Sequence, residues 1–207
     1  MKTIKFEVPK GLGQGCSALL RQSLIETSSS VKPVAFKLDE GNMYKCGEGK
    51  IDNMALSSLI ADLTFNVSSN VELPIMLEAT YHSKLTSSDL CNSNDDVDIV
   101  EKDVVLIEEI DSSKECSIKI IIDRNCGYKS HSFNRKDLEK KDLDIKGFNI
   151  ISSRYSDVRV SMSPPFEDMD SDIVNLEVSS KSGNEGDKIN ESIDKIIKIF
   201  QDLKVSL

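Results

Sequence analysis

Few residues in this 207-residue chain have the type and spacing to do chemistry, so each can be weighed in turn. The run Gly11-Leu12-Gly13-Gln14-Gly15 could cradle a phosphate at a helix N-terminus. It lacks the lysine of a P-loop and the third glycine of a dinucleotide fingerprint, so it reads as a structural turn. His82 and His131 are far apart, and no two of the five cysteines (Cys16, Cys46, Cys91, Cys116, Cys126) have C-x-x-C spacing. Zinc binding is therefore not expected, and neither is a Cys-His nucleophile. Asp95, Asp96 and Asp98, with Glu167, Asp168, Asp170 and Asp172, could attract cations or basic partners. They read as solvated turns. Arg135, Lys136, Lys140 and Lys141 are interleaved with acids and read as a mixed-charge surface. No constellation points to a catalytic residue, a cofactor site or a metal site in this chain. Arg21, Arg154 and Arg159 are the best interaction residues, because arginine is favoured at protein interfaces.

The elements that would position such residues follow from periodicity. Ile4, Phe6 and Val8 alternate as a strand, which Pro9 and the glycines end. A helix is expected over 17–28, with Leu19, Leu20 and Leu24 on one side, and a strand over 34–38 before a charged loop at 39–49. Ile51, Met54, Leu59 and Leu63 suggest another helix, and residues 71–79 with Tyr81 a strand interrupted by Pro74. Strands are expected at 97–100 and 104–107, then an acidic turn and a long strand ending at Cys126. The polar stretch 129–146 reads as a surface excursion, with strands following at 148–151 and 158–162. Pro164-Pro165 and residues 167–172 read as a turn, 173–178 as a strand and 183–186 as a second turn.

The last helix, over 188–205, has the clearest pattern. Ile189, Ile193, Ile196, Phe200 and Leu203 recur at intervals of four and three, the repeat of a packing seam between helices. Ile197 widens it, and Glu191 with Lys195 adds an i,i+4 pair. Each buried seam residue contributes roughly 1.5–3 kcal/mol, so the partner surface dominates this helix's stability.

A net charge of −9 suits phosphate backbones poorly, since binding them depends on Lys and Arg. No apolar run is long enough to cross a membrane, and the N-terminus lacks the features of a signal peptide. Odd, widely spaced cysteines fit free thiols in a cytoplasmic protein.

Four collinear stretches resemble the N-terminal region of the bacterial-type DNA-directed RNA polymerase α subunit. Thr86, Ser87, Asp89, Leu90, Asp96, Val97, Asp98, Ile99, Val100, Val104 and Val105, then Gly127-Tyr128, match a "T-A-x-D-I … G-D-V-E-I-V-x-P-x-x-V-I … G-R-G-Y" pattern. Gly11, Gly13, Leu20, Arg21 and Leu24 match "G-F-G-x-T-L-G-N-x-L-R-R-x-L-L-S-S". Residues 151–160, ISSRYSDVRV, resemble "V-D-A-x-Y-S-P-V-x-x-V", and the segment from Asp172 resembles the family's final strand and helix.

The resemblance implies an α+β fold in two subdomains. A dimerisation subdomain (1–31 and 153–207) would combine an antiparallel sheet and two helices, and a mainly β insert (32–152) would interrupt it. It implies a non-catalytic enzyme subunit that dimerises and scaffolds the large β and β′ subunits, where magnesium and the nucleotidyl-transfer chemistry reside. Leu20, Leu24, Ile189, Ile193, Ile196, Phe200 and Leu203 would line the dimer interface, and Arg21, Gln22, Arg154 and Arg159 would meet β or β′. Gln22 stands where the family has a second arginine, Asp157 replaces the proline of "Y-S-P-V", and Cys126 replaces the arginine of "G-R-G-Y". These departures point to a heterodimer with a second, more typical α. The alternative is a free-standing, dimerising regulator of transcription. The family's DNA-binding C-terminal domain has no counterpart before Leu207.

Overall fold

The computed structural model describes residues 1–38, 44–45, 53–82, 84–91, 95–109, 116–156, 158–162, 166–167, 170–181, 183 and 185–205. Cys46, Ile51, most of residues 39–49, residues 110–115 where an acidic turn is expected, Asp157, Pro164-Pro165 and Asp168 lie outside them, as does the side chain of Leu203.

In chain order the elements begin with β1 (Lys2–Pro9), α1 (Gly13–Thr27), β2 (Ser29–Leu38), β3 (Tyr44–Lys45), α2 (Asn53–Asp62) and β4 (Phe65–Val67). Next come β5 (Ile75–Tyr81), β6 (Lys84–Thr86), a 3-10 turn (Ser87–Cys91), β7 (Val97–Ile99), β8 (Val105–Glu109) and β9 (Cys116–Cys126). The chain continues through β10 (Tyr128–Lys129), α3 (His131–Lys140), β11 (Asn149–Ile150), β12 (Ser153–Arg154), β13 (Val158–Met162), β14 (Phe166–Glu167), β15 (Ser171–Ser180) and α4 (Glu185–Val205). The class is α+β. Contacts divide the chain into two units: Met1–Ser29 with Ser156–Leu207, and Ser30–Tyr155.

The terminal unit is a sheet in the order β1-β15-β13, with β14 also pairing β15. Its ladders are antiparallel, and their register sets Ile4 opposite Leu176, Phe6 opposite Val174 and Val8 opposite Asp172. Strict alternation sends Asp172, Val174, Leu176 and Val178 to one buried face. Leu24 of α1, Ile189 of α4 and Val158 close over Val178 to form the core, flanked by Ile4 and Val160.

α1 begins four residues before the expected start, and its N-cap explains why. The N-cap residue is Leu12, which offers no side-chain acceptor. Asp172 of β15 supplies one from across the chain: its Oδ2 accepts the Gly11 N–H at 2.8 Å and the Gly13 N–H at 2.9 Å. Gly11 takes the left-handed φ of +87° that brings the chain into this cap. Residues 167–172 are accordingly not a turn throughout, because Glu167 of β14 pairs with Asp172 at the start of β15. The expected 183–186 turn likewise gives way at Glu185, where α4 starts.

The inserted unit is built on a six-stranded sheet, β5-β9-β2-β4-β7, with β11 added beside β2. Every residue from Ser30 to Phe36 is buried. Its sheet is covered on both faces, so β2 is continuously buried and starts five residues earlier than alternation suggested. On one face Phe36, Ile118, Ile120 and Ile122 join Leu56 and Ile60 of α2 and Leu106 and Ile107 of β8. On the other, Val34, Ala35 and Ile121 meet Leu138 of α3 and Tyr155.

The expected surface excursion at 129–146 contains α3. Ser130 Oγ caps it by accepting the Phe133 N–H, and Asn134 and Leu138 form its buried side. Asn134 Nδ2 donates to the Ile151 carbonyl at 2.8 Å, so a polar residue occupies a core position without an unmet hydrogen bond. At its C-terminal end Lys141 Nζ meets Asp123 at 2.7 Å and Asp137 at 2.9 Å. Burial drives the Tyr155 phenol pKa well up, and the charges of Asp123 and Asp137 push it further.

Candidate protein-interaction surface

In the terminal unit α1 and α4 contact each other and the sheet. Beside the apolar contact of Leu24 and Ile189, polar bonds join them: Thr27 Oγ1 and Ser192 Oγ share a 2.6 Å hydrogen bond, and Thr27 also donates to the Ser23 carbonyl. Lys195 Nζ donates to the carbonyl of Thr27, the last residue of α1, at 3.1 Å. A lysine there satisfies an orphan carbonyl and complements the negative helix end. Glu185, at the start of α4, has its pKa lowered first by its own backbone N–H and then by the Met1 ammonium and the Ser180 N–H.

Beyond Lys195, α4 continues from 196 to 205, about 15 Å at 1.5 Å per residue. This half exposes Ile197 (48%), Ile199 (65%) and Phe200 (55%), with Ile193 at its base. At 100° per residue, Ile193, Ile196, Ile197, Ile199 and Phe200 span an arc of roughly 160°. That is wider than a helix needs to cover one sheet. Beside the stripe is an apolar cavity of 320 Å³, lined by Ile4, Phe6, Leu20, Leu24, Ile189, Ser192 and Ile193. Leu19 is also exposed on α1.

The proposed interface residues therefore divide. Leu24 (0% exposed) and Ile189 (6%) belong to the unit's own core. Leu20 and Ile196 are half-buried, while Ile193 and Phe200 face outward. Ile199 escaped the four-three repeat because it sits on the edge of the arc.

Arg21 and Gln22 are adjacent and exposed on α1. Gln22 Nε2 donates to Glu26 at 3.1 Å, whereas the Arg21 side chain has no hydrogen bond or ion pair with any described residue. Arg159 is exposed on β13 of the same unit. Arg154 belongs to the inserted unit, where it is exposed and lies opposite Tyr128 in the β10–β12 ladder. The four residues are thus shared between two units.

Among the described residues, no group of three His, Cys, Asp or Glu side chains could hold a metal ion. None of the described helices is long and apolar enough to cross a membrane. Burial and the Asp98 charge raise the Cys91 thiol to about 11, with Lys102 opposing them. No protein-family model matches the chain, and no curated protein matches it either.

Proposed function

We propose that this chain is a non-catalytic, α-type subunit of a multisubunit DNA-directed RNA polymerase, and that it dimerises to scaffold the large subunits. One observation carries the reading: the two chain ends form one sheet-and-helix unit, the segment between them forms a second, β-rich unit, and α4 leaves its apolar stripe exposed. The four sequence stretches described above support the same family. In this reading the fold is the two-subdomain α N-terminal fold, and Met1–Ser29 with Ser156–Leu207 is its dimerisation subdomain.

The energetics favour a large joint surface over a single helix contact. Burying five stripe residues contributes about 7–15 kcal/mol at roughly 1.5–3 each. Association costs on the order of 4–15 kcal/mol. The stripe alone comes close to cancelling that cost. Leu19, Leu20 and the adjoining cavity must therefore enter the interface. Arg21 and Arg159 supply planar, permanently charged donors for carboxylates of β or β′. Gln22 keeps hydrogen bonding without the charge, which fits a chain that fills one α position beside a more typical α. Magnesium and bond-making belong to the large subunits.

The test is reconstitution of the purified chain with β, alone and with a second α, followed by sedimentation. Wild type forms an α dimer that captures β, and Phe200→Asp with Ile193→Asp abolishes both. A wild-type chain that stays monomeric and binds no β refutes the proposal. Dimerisation without β binding favours the free-standing regulator.

A further inference from the structure

Residues 124–154 hold eight Lys and Arg against four Asp and Glu, a local balance of +4 in a chain of net −9. The structure concentrates part of this charge on α3 of the inserted unit. Lys129 Nζ lies 4.7 Å from the centre of the Phe133 ring, a cation–π contact. Phe133 is 43% exposed despite it. Lys136 and Lys140 follow at i+3 and i+7 and are exposed, so they share the Phe133 side of the helix. At 100° per residue these three fall within roughly 60° of one another. Of the acids of α3, Asp137 falls about 40° from Phe133, on the same side of the helix. Asp137 is held by Lys141, and Glu139 falls on the arc of Arg135. Asp142 and Asp144 come after the helix.

We propose that the Lys129–Phe133–Lys136–Lys140 stripe docks a short acidic protein segment that carries a bulky apolar residue among its carboxylates. Size and charge select this partner over a nucleic acid. α3 has ten residues and spans about 15 Å. That matches roughly five residues of extended peptide at about 3.3 Å each. A short segment experiences only charges within a Debye length, about 10 Å, where the stripe is positive. A longer polyanion would also meet the acidic remainder of the chain. The ring of Phe133, steadied by Lys129, gives the apolar residue a platform that a phosphate backbone does not need. This inference does not depend on the polymerase reading, because it concerns a different surface and a test with the chain alone.

The probe is a short fluorescent peptide of glutamates flanking one leucine, titrated with the full chain at low and moderate salt. Binding is expected to weaken as salt rises. Lys136→Glu with Lys140→Glu should weaken it at least about tenfold, through two lost attractions and two new repulsions. Phe133→Ala should weaken it about threefold. Lys84→Glu with Lys102→Glu makes the same change in net charge beside the other core cluster of the inserted unit and should leave affinity within about twofold. Should the paired glutamates fail to fold by circular dichroism, the paired glutamine variants give the same reading with a smaller loss. No peptide binding, an equal loss in the remote control, or tighter binding of a single-stranded oligonucleotide of equal charge overturns the proposal.

Discussion

Asp172→Ala tests how the two ends of the chain are joined. One buried carboxylate oxygen accepts two backbone N–H groups, from Gly11 at 2.8 Å and Gly13 at 2.9 Å, and the residue is 5% exposed. Hydrogen bonds to a charged group contribute roughly 1.5–3 kcal/mol each. Gly11 is exposed and recovers much of its loss from water, whereas Gly13 is buried and does not. The expected destabilisation is therefore about 2–4 kcal/mol rather than the full sum of two bonds. Asp172→Asn keeps an acceptor but loses its charge, and about half that cost is expected. Urea denaturation of the full chain should place the loss in the transition of the terminal unit. Hydrogen exchange should show faster exchange at Gly13 and through the first turn of α1. A loss below about 0.5 kcal/mol with unchanged exchange at Gly13 would refute the remote cap.

Lys141→Ala leaves the Asp123 carboxylate buried at 5% side-chain exposure without its 2.7 Å partner. Because Lys141 is itself 36% exposed, the expected cost is about 1–3 kcal/mol, below that of a fully buried pair, measured by denaturant titration. Burial lowers the Lys141 pKa, but hydrogen bonds and charges from Asp123 and Asp137 outweigh it and raise the pKa above 10.5. Its contribution is therefore fully present below about 10.5 and lost as pH rises through the higher folded value, a dependence that Lys141→Ala should abolish. Cys91, raised to about 11, should alkylate roughly a hundredfold more slowly at neutral pH than an ordinary thiol and accelerate towards pH 11, as followed by mass spectrometry of its peptide. Leu24→Ala should cost about 2–3 kcal/mol by thermal or urea unfolding, the lower part of the range for a buried leucine, because Leu24 already borders a cavity.

The elements that were legible have one wet face. The alternation of Ile4, Phe6 and Val8 and of Val174, Leu176 and Val178 reports a sheet covered on one side. The stripe of α4 was legible because six apolar residues recur among charges. β2 was cut short because burial on both faces erases alternation. α3 was missed because its buried side is Asn134 and Leu138, and a hydrogen-bonded asparagine leaves no hydrophobic signal. The start of α1 was misplaced because its cap is Asp172, 159 residues from Gly13. For the candidate surface, periodicity found the residues but could not apportion them. Ile189 shares the repeat with Phe200, yet it is buried in the unit's own core with Leu24 of α1, while Phe200 is exposed.

The most direct test of the account is affinity purification of the tagged chain from its native cells, followed by native mass measurement of what it brings. The account predicts β and β′ in stoichiometric amounts with this chain and one different α. Two copies of this chain with β and β′ would keep the scaffold and remove the heterodimer. Recovery without the large subunits would contradict the central claim.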